Sequence, residues 1–370
     1  MTTMRHVALD GLRGVAVLLV IAYHLGSASG RPLLPAGFLG VDLFFVLSGF
    51  LITSLLVREQ ARFGTIDLWR FYGRRAVRLF PALILFLLIW GRYMHPQTLA
   101  FIAGYIFNWL EAARGADVAA SHLWSLSVEE QYYLVWALAL SVGLARGWKK
   151  DHLLTGSLVL VLALAGWREV LWYHGATMNR IYFGTDTHLD GILLGSALGL
   201  ADMRRVAGWL REHAQTYRWL SLMALMGIVV VLVTGAGTSA AGLGMMPAAS
   251  LPIAIAWTLV LTRVCIAPWP LLVAGLSRRP LAWIGRISYG VYLWHGVFAL
   301  LTQVNPLWQS ISITLAGSLL VASLSFYGLE QPVQRAFHAR LVRTIVAGAR
   351  PAYIAATANG MPTAAGRGIV

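Results

Sequence analysis

Apolar segments about twenty residues long recur along the chain, and a helix of that length spans a bilayer core. The sequence is 58% hydrophobic and 12% charged, with a mean hydropathy of +0.69. This composition excludes an ordinary soluble domain. We predict an all-α polytopic membrane protein with about ten transmembrane helices. The predicted spans are 7–28, 37–57, 79–95, 126–145, 152–172, 184–202, 219–235, 246–264, 281–301 and 309–329.

Basic residues between the spans predict the orientation. The apolar part of 97–124 is only about a dozen residues long, which suits a re-entrant or interfacial piece better than a span. If this segment does not cross and the N-terminus is cytoplasmic, every basic connection lies inside, as the positive-inside tendency requires. These connections are 58–78, 146–150, 204–218, 278–279 and 335–350. We therefore predict that both termini are cytoplasmic, and that the net charge of +14 reflects these loops rather than a nucleic-acid partner.

The domain organisation is predicted to be simple. Residues 1–332 form one transmembrane domain, and 333–370 form a basic cytoplasmic tail that is disordered at its end. We expect the first apolar run to be retained rather than cleaved, because Asp10 and Arg13 interrupt it. The single cysteine, Cys265, excludes an intrachain disulfide. The scattered histidines predict no metal site.

Ionisable residues inside the first span indicate a function. A charged side chain near the bilayer centre costs about 2.5–3.5 kcal/mol on insertion scales. Arg13 and His24 are eleven residues apart, so a helix places them on one side, roughly 16 Å apart along its axis. The alternative is that Arg13 pairs with Asp10 and that His24 is an ordinary interfacial histidine.

A polar layer is predicted at the outer ends of the spans. Carboxylate and imidazole together suit general-base chemistry on a hydroxyl, because the carboxylate orients the ring and stabilises its protonated form. The alternative is an aromatic belt with interfacial polar anchors. The ionisable residues of this layer are His24, Asp42, Glu129, Glu130, Asp186, His188, Asp190 and His295.

An arginine cluster is predicted at the inner side, before the third span. Arg70, Arg74 and Arg78 share one helical face, and Arg75 and Arg78 share a neighbouring one. Each guanidinium makes bidentate contacts with a phosphate, so the cluster suits a phosphate ligand. Topological retention or contact with anionic lipid headgroups is the alternative.

The order of these motifs resembles the integral-membrane acyltransferase-3 family, bacterial enzymes that O-acylate surface and secreted glycans. No esterase-like domain follows the membrane part, so we expect a stand-alone membrane module. The matching pieces are Arg13 with His24, GVDLFFVLSGFLIT (40–53), FYGRRAVRLFPAL (71–83), LWSLSVEEQYYL (123–134), FGTDTHLDGILLG (183–195), ISYGVYLWHG (287–296) and LEQP (329–332).

The resemblance implies a reaction and its participants. The donor is acetyl-CoA or another acyl-CoA, used as a co-substrate with no permanently bound cofactor. The acceptor is a hydroxyl of a periplasm-facing glycan or glycolipid, at the bacterial cytoplasmic (inner) membrane.

The resemblance also implies roles for residues. His24 matches the essential histidine and Arg13 its partner, while Arg75 and Arg78 match the arginines linked to donor use. Glu129 matches the acidic residue of its motif. From the residues we add Arg74 to the donor site and predict acceptor contacts for Asp42, Glu130, Asp186, His188, Asp190 and His295.

We expect His24, oriented by Glu129 or Asp42, to deprotonate the acceptor hydroxyl, while Arg13 stabilises the oxyanion or the leaving thiolate. In a second route, His24 first accepts the acyl group itself.

Two other functional classes remain open from the residues. Intramembrane charges also mark secondary transporters and lipid-linked sugar flippases, although the sequence shows no inverted repeat of the transporter kind. A scaffold or sensor leaves the polar outer layer unexplained.

Overall fold

The computed structural model describes residues 2–25, 32–115, 120–238 and 246–340, with side chains described from residue 6 onward. The regular elements in these ranges are helices. The α-helices are α1 (Thr2–His24), α2 (Leu39–Phe63), α3 (Leu68–Trp90), α4 (Pro96–Ala103), α5 (Phe107–Arg114), α6 (Trp124–Ala145), α7 (Lys150–Tyr173), α8 (Met178–Phe183), α9 (Asp190–Leu200), α10 (Met203–Glu212), α11 (Ala214–Thr234), α12 (Pro247–Cys265), α13 (Pro270–Leu276), α14 (Arg279–Arg286), α15 (Ser288–Leu301) and α16 (Leu307–Ser325).

Within the described ranges, seven helical segments are long and apolar enough to cross a membrane. They correspond to seven of the predicted spans, and they make this an all-α, multi-pass membrane protein. The segments are His6–His24, Leu39–Phe63, Leu68–Tyr93, Lys150–Tyr173, Ala214–Thr234, Pro247–Cys265 and Leu307–Arg340.

The other three predicted spans have a different form. The segment 126–145 is the 22-residue helix α6, which lies outside that set of seven. The segment 184–202 contains α9, which is only 11 residues long, and 281–301 is divided into helices of 8 and 14 residues. The total of ten spans stays a prediction.

The segment 97–124 contains two short helices. The helices α4 and α5 have eight residues each, about 12 Å of helix against a core of about 30 Å. Arg58 at the end of α2 and Lys150 at the start of α7 line one cavity. The chain therefore returns to the same end of the bundle after α3 and α6, as the prediction for 97–124 requires.

The third span begins earlier than predicted. Asp67 accepts a hydrogen bond from the backbone N–H of Arg70 and caps α3, which therefore starts at Leu68 rather than near residue 79. An acceptor at this position satisfies one of the free donors of a helix start. The arginine cluster consequently lies on the spanning helix itself.

The bundle is centred on the contact between α2 and α9, which approach each other through glycines. A Cβ atom at Gly49 would lie 1.9 Å from the carbonyl oxygen of Ile192, and one at Gly195 would lie 2.1 Å from that of Val46. Small residues allow this approach in membrane helices, where close packing drives association. The short helix α9 is thereby buried along most of its length.

The predicted tail is only partly described. The last helical segment continues without a break from Leu307 to Arg340, so no structural boundary is seen at residue 332. Residues 341–370, which hold most of the predicted tail, lie outside the described ranges. The orientation of the termini stays a prediction.

We predict that Gly49→Ala destabilises the fold, because its new methyl group would overlap the Ile192 carbonyl. Overpacking of this kind costs about 1–3 kcal/mol. The thermal unfolding midpoint of the protein in detergent should fall clearly. Gly156→Ala on α7 is the matched control, since nothing lies within 4 Å of that position. Equal midpoints for the two variants would contradict the glycine-mediated packing.

Candidate active site

A cavity of about 280 Å³ lies among α1, α2, α3, α6 and α15. Its wall is apolar over much of its area, but charged groups from four helices converge on it. The charged residues that line it are Arg13, Arg58, Arg75, Arg78 and Glu129. We refer to it below as the reaction cavity.

Arg75 on α3 forms an ion pair with Glu130 on α6. Its Nη2 lies 2.5 Å from Oε1 of Glu130, and its guanidinium carbon lies 3.5 Å from the ring centre of Tyr133. The pair contradicts the prediction of two separate layers, which placed Arg75 inside and Glu130 among the outer acceptor-binding residues. Side chains extend along the bundle, and charges within it pair with one another.

Arg78 differs from the other arginines of the cluster. It is exposed to the reaction cavity, and among the described residues it has no ion-pair partner. Arg74, by contrast, pairs with Glu59 at 3.0 Å and does not line the cavity. Of the predicted donor-binding arginines, Arg78 is therefore the cation left free for an anionic ligand.

Glu129 and Arg13 also belong to the reaction cavity. Ser48 donates a hydrogen bond of 2.8 Å to Oε1 of Glu129. Arg13 lines the cavity and also pairs with Asp10 at 3.3 Å. The ion pair with Asp10 therefore does not prevent Arg13 from facing a ligand in the cavity.

Three histidines form a cluster next to this cavity. The rings of His24 and His122 each lie 4.9 Å from the ring of His295, centre to centre. Nε2 of His295 lies 3.3 Å from Nδ1 of His24. His122 was missed by the sequence analysis, although it directly precedes the LWSLSVEEQYYL motif.

Backbone carbonyls fix the tautomers of these histidines. A carbonyl oxygen only accepts hydrogen bonds, so a ring nitrogen facing it carries the proton. Nδ1 of His24 lies 2.9 Å from the Val20 carbonyl, and Nδ1 of His295 lies 2.7 Å from the Tyr292 carbonyl. In the neutral rings Nε2 of both residues therefore has its electron pair available, and that of His295 faces the Nδ1–H of His24.

Tyr292 separates the cluster from the reaction cavity. Its hydroxyl lies 2.6 Å from Ser125 Oγ and donates to the His122 carbonyl at 2.6 Å. Its ring lies 5.4 Å from that of His295. Tyr292 and Ser125 also line the reaction cavity. Their hydroxyls therefore form a thin polar wall between the histidine cluster and the reaction cavity.

Asp42 does not orient His24, contrary to our expectation. It lies 3.1 Å from Nε2 of His188, whose Nδ1 faces the Tyr182 carbonyl at 2.7 Å. Glu129 is likewise engaged elsewhere, with Ser48. The contacts found for His24 come instead from its own helix and from His295.

Two further predicted acceptor residues, Asp186 and Asp190, are held in ion pairs. Asp186 receives two hydrogen bonds from Arg180, at 2.6 and 2.8 Å, and one from Trp167 at 2.9 Å. Asp190 accepts a bond of 2.9 Å from Arg168, and both side chains are 3% exposed. This arrangement gives Asp190 a structural role, and the ring of His295 belongs to the histidine cluster.

We predict that Asp190→Asn destabilises the protein by about 3–5 kcal/mol, because it leaves the buried Arg168 without its counter-charge. The thermal midpoint should fall sharply. Asp151→Asn is the control, since its pair with Arg205 is 3.7 Å long and exposed and should contribute less than about 1 kcal/mol. A stable Asp190→Asn variant that lost its activity would instead support the predicted acceptor contact.

Comparisons with known proteins place this geometry in a family. The acyltransferase-3 family model, described as an acyltransferase domain, matches residues 6–329. Peptidoglycan O-acetyltransferase OatA of Listeria monocytogenes is 31% identical over 357 residues, which cover 89% of this chain and 56% of that protein. The putative peptidoglycan O-acetyltransferase YrhL of Bacillus subtilis is 33% identical over 352 residues, covering 88% of this chain and 54% of that protein.

O-acetyltransferase OatA of Staphylococcus aureus is 32% identical over 358 residues, covering 88% of this chain and 57% of the relative. The chain thus spans about half the length of the curated relatives it matches. No solved structure matches it. The family model covers nearly all of the described helical bundle, and the chain belongs to the acyltransferase-3 family.

Proposed function

We propose that the protein transfers an acyl group, in the first instance acetyl, from acyl-CoA to a hydroxyl of a cell-envelope glycan or glycolipid. The observation that carries the proposal is the juxtaposition of a cavity holding a free cation, Arg78, with a histidine whose Nε2 has its electron pair available. Family membership supports the reaction class. The names of the relatives support peptidoglycan as the first acceptor to test.

The donor occupies the reaction cavity. A phosphate of acyl-CoA binds Arg78, and Arg75 adds positive charge while its pair with Glu130 keeps it in place. Arg74 takes no direct part, because Glu59 holds it. The thioester extends from these cations toward Tyr292 and Ser125.

His24 acts as the general base. Its Nε2 takes the proton of the acceptor hydroxyl as the oxygen attacks the thioester carbon. The Nδ1–H then stabilises the imidazolium through the Val20 carbonyl and Nε2 of His295. When the C–S bond breaks, the CoA thiolate takes the proton back from His24, and the products are the ester and free CoA.

Arg13 acts on a different part of the donor from His24. The helix α1 is continuous between them, so about 16 Å of axis separates the two residues. Both cannot serve one tetrahedral carbon. Arg13 therefore supports donor binding. The Tyr292 hydroxyl proton is held by the His122 carbonyl, so the hydroxyl of Ser125 is the donor at this wall for the oxyanion. Glu129 lines the cavity and is bonded to Ser48, not to His24. It therefore contacts the bound substrate directly and does not orient the base.

The membrane arrangement follows from the charge distribution. We infer about ten crossings, with both termini and the arginine-rich end of the bundle facing the cytoplasm, where CoA is found. The histidine cluster then faces the periplasm in a bacterial cytoplasmic membrane. The glycan reaches His24 from that side, and the donor reaches the cavity from the other.

We predict that His24→Ala abolishes acyl transfer, because loss of a general base lowers the rate by about a hundredfold to ten-thousandfold. Thiol release from acetyl-CoA by the purified protein in nanodiscs, with a peptidoglycan or glycan extract as acceptor, measures it. Arg78→Gln should instead raise the KM for acetyl-CoA. His213→Ala is the control, since His213 is exposed between α10 and α11.

The outcomes separate the rival classes. Full activity of His24→Ala would refute the assignment of the base. Thiol release without acceptor that still requires His24 would indicate the acyl-histidine route. If the wild-type protein binds no acetyl-CoA but moves a labelled glycan lipid unchanged across vesicles, it is a transporter.

We predict that His295 positions the base. His295→Leu removes one of the two acceptors of the His24 Nδ1–H and leaves the Val20 carbonyl. It should lower kcat about tenfold, since a hydrogen bond to a charged group is worth about 1.5–3 kcal/mol. The KM for acetyl-CoA should stay unchanged. His295→Gln, whose amide oxygen also accepts, should restore part of kcat. A parallel loss in both variants would contradict this role.

A further inference from the structure

A second and larger cavity opens at the arginine-rich end of the bundle. Its volume is about 930 Å³, and it lies among the starts of α1, α7 and α10 and the ends of α2, α9 and α12. We call it the basic vestibule. Its ionisable lining residues are His6, Arg58, Lys150, Asp151, Asp202, Arg204 and Arg205.

Positive charge in the basic vestibule is left uncompensated. Arg58, Lys150 and Arg204 are exposed, and none of the three forms an ion pair within the described part of the chain. The two carboxylates, Asp151 and Asp202, face Arg205 at 3.7 Å. Asp202 also caps α10 by accepting from the backbone N–H of Arg204. The vestibule therefore attracts anions.

The basic vestibule and the reaction cavity share part of their walls. Leu51 and Arg58 line both of them. Ser48, which lies deeper in the reaction cavity, and Arg58 are ten residues apart on the continuous helix α2, or about 15 Å along its axis. A ligand with anionic groups at one end and a long arm fits the two cavities together.

We propose that the basic vestibule binds the 3′-phosphate of the donor's ribose, with Lys150 and Arg204 as its ligands. This rests on the proposed function, in which the diphosphate of acyl-CoA meets Arg78. Arg58, at the shared wall, lies between the two phosphate positions. An anionic lipid headgroup offers the same phosphate chemistry, and the test below separates the two sources.

The test compares CoA with dephospho-CoA, which lacks only the 3′-phosphate. Titration calorimetry on the wild-type protein in phosphatidylcholine nanodiscs should show CoA binding about tenfold tighter, a difference of about 1.4 kcal/mol. In the Lys150→Gln/Arg204→Gln variant the two ligands should bind about equally. The affinity of dephospho-CoA itself should be unchanged by the substitutions.

Arg211→Gln is the matched control, because Arg211 is exposed on the same helix, α10, but does not line the vestibule. It should keep the full preference for CoA. If the double variant still prefers CoA, the inference is wrong. If the wild type binds the two ligands equally, the inference is also wrong. Neither outcome affects the proposed function. Failure of both ligands to bind overturns the proposed function as well.

A second experiment tests the anionic lipid as the ligand and uses nanodiscs that contain phosphatidylglycerol. If this lipid raises the thermal midpoint of the wild type but not of the double variant, and CoA shows no preference over dephospho-CoA, the vestibule is a lipid site and the inference is wrong. If the preference for CoA is the same in both lipid compositions, the 3′-phosphate is the ligand.

Discussion

The ion pair between Arg75 and Glu130 is the contact on which the interior of this bundle depends. It joins α3 to α6 at 2.5 Å, and the ring of Tyr133 covers the guanidinium. An arginine at this depth needs a counter-charge, and a carboxylate here needs a cation. Because Glu130 pairs with Arg75, Arg78 one turn further along α3 is left with its charge directed into the reaction cavity.

Tight packing of α2 against α9 supports another part of the bundle. Backbone contact at Gly49 and Gly195 places α9 close against α2, so a helix of 11 residues is fully supported by its neighbours. The same short helix begins with Asp190, which compensates the buried Arg168. Asp190, which the sequence suggests for substrate binding, thus serves to hold a short buried helix in place.

Much of the fold and several of the residues that line the reaction cavity are predictable from the sequence. Hydropathy locates the long helices, and four of the residues selected from the motifs, Arg13, Arg75, Arg78 and Glu129, line one cavity. Pairings across the bundle are not predictable in this way, because periodicity describes one helix at a time. The contact of Arg75 with Glu130 spans 55 residues, and that of His24 with His295 spans 271.

The same limit explains the errors. Asp42 and His24 share a predicted layer, but the structure directs Asp42 toward His188. His122 received no role because a lone histidine ahead of a motif has no periodic signal. Capping by Asp67 extended α3 backward over an arginine-rich stretch, which hydropathy alone counts as a loop.

The separation of His24 from the reaction cavity has a chemical consequence. A thioester that met an open, hydrated base would be hydrolysed, and excluding water from the donor prevents this side reaction. The hydroxyls of Tyr292 and Ser125 form the wall at the point where the two regions meet. Under the proposed function, transfer from one side of the membrane to the other needs no movement of the whole donor through the bundle. Only the thioester has to reach that wall, and only the acceptor hydroxyl has to meet it from the histidine side.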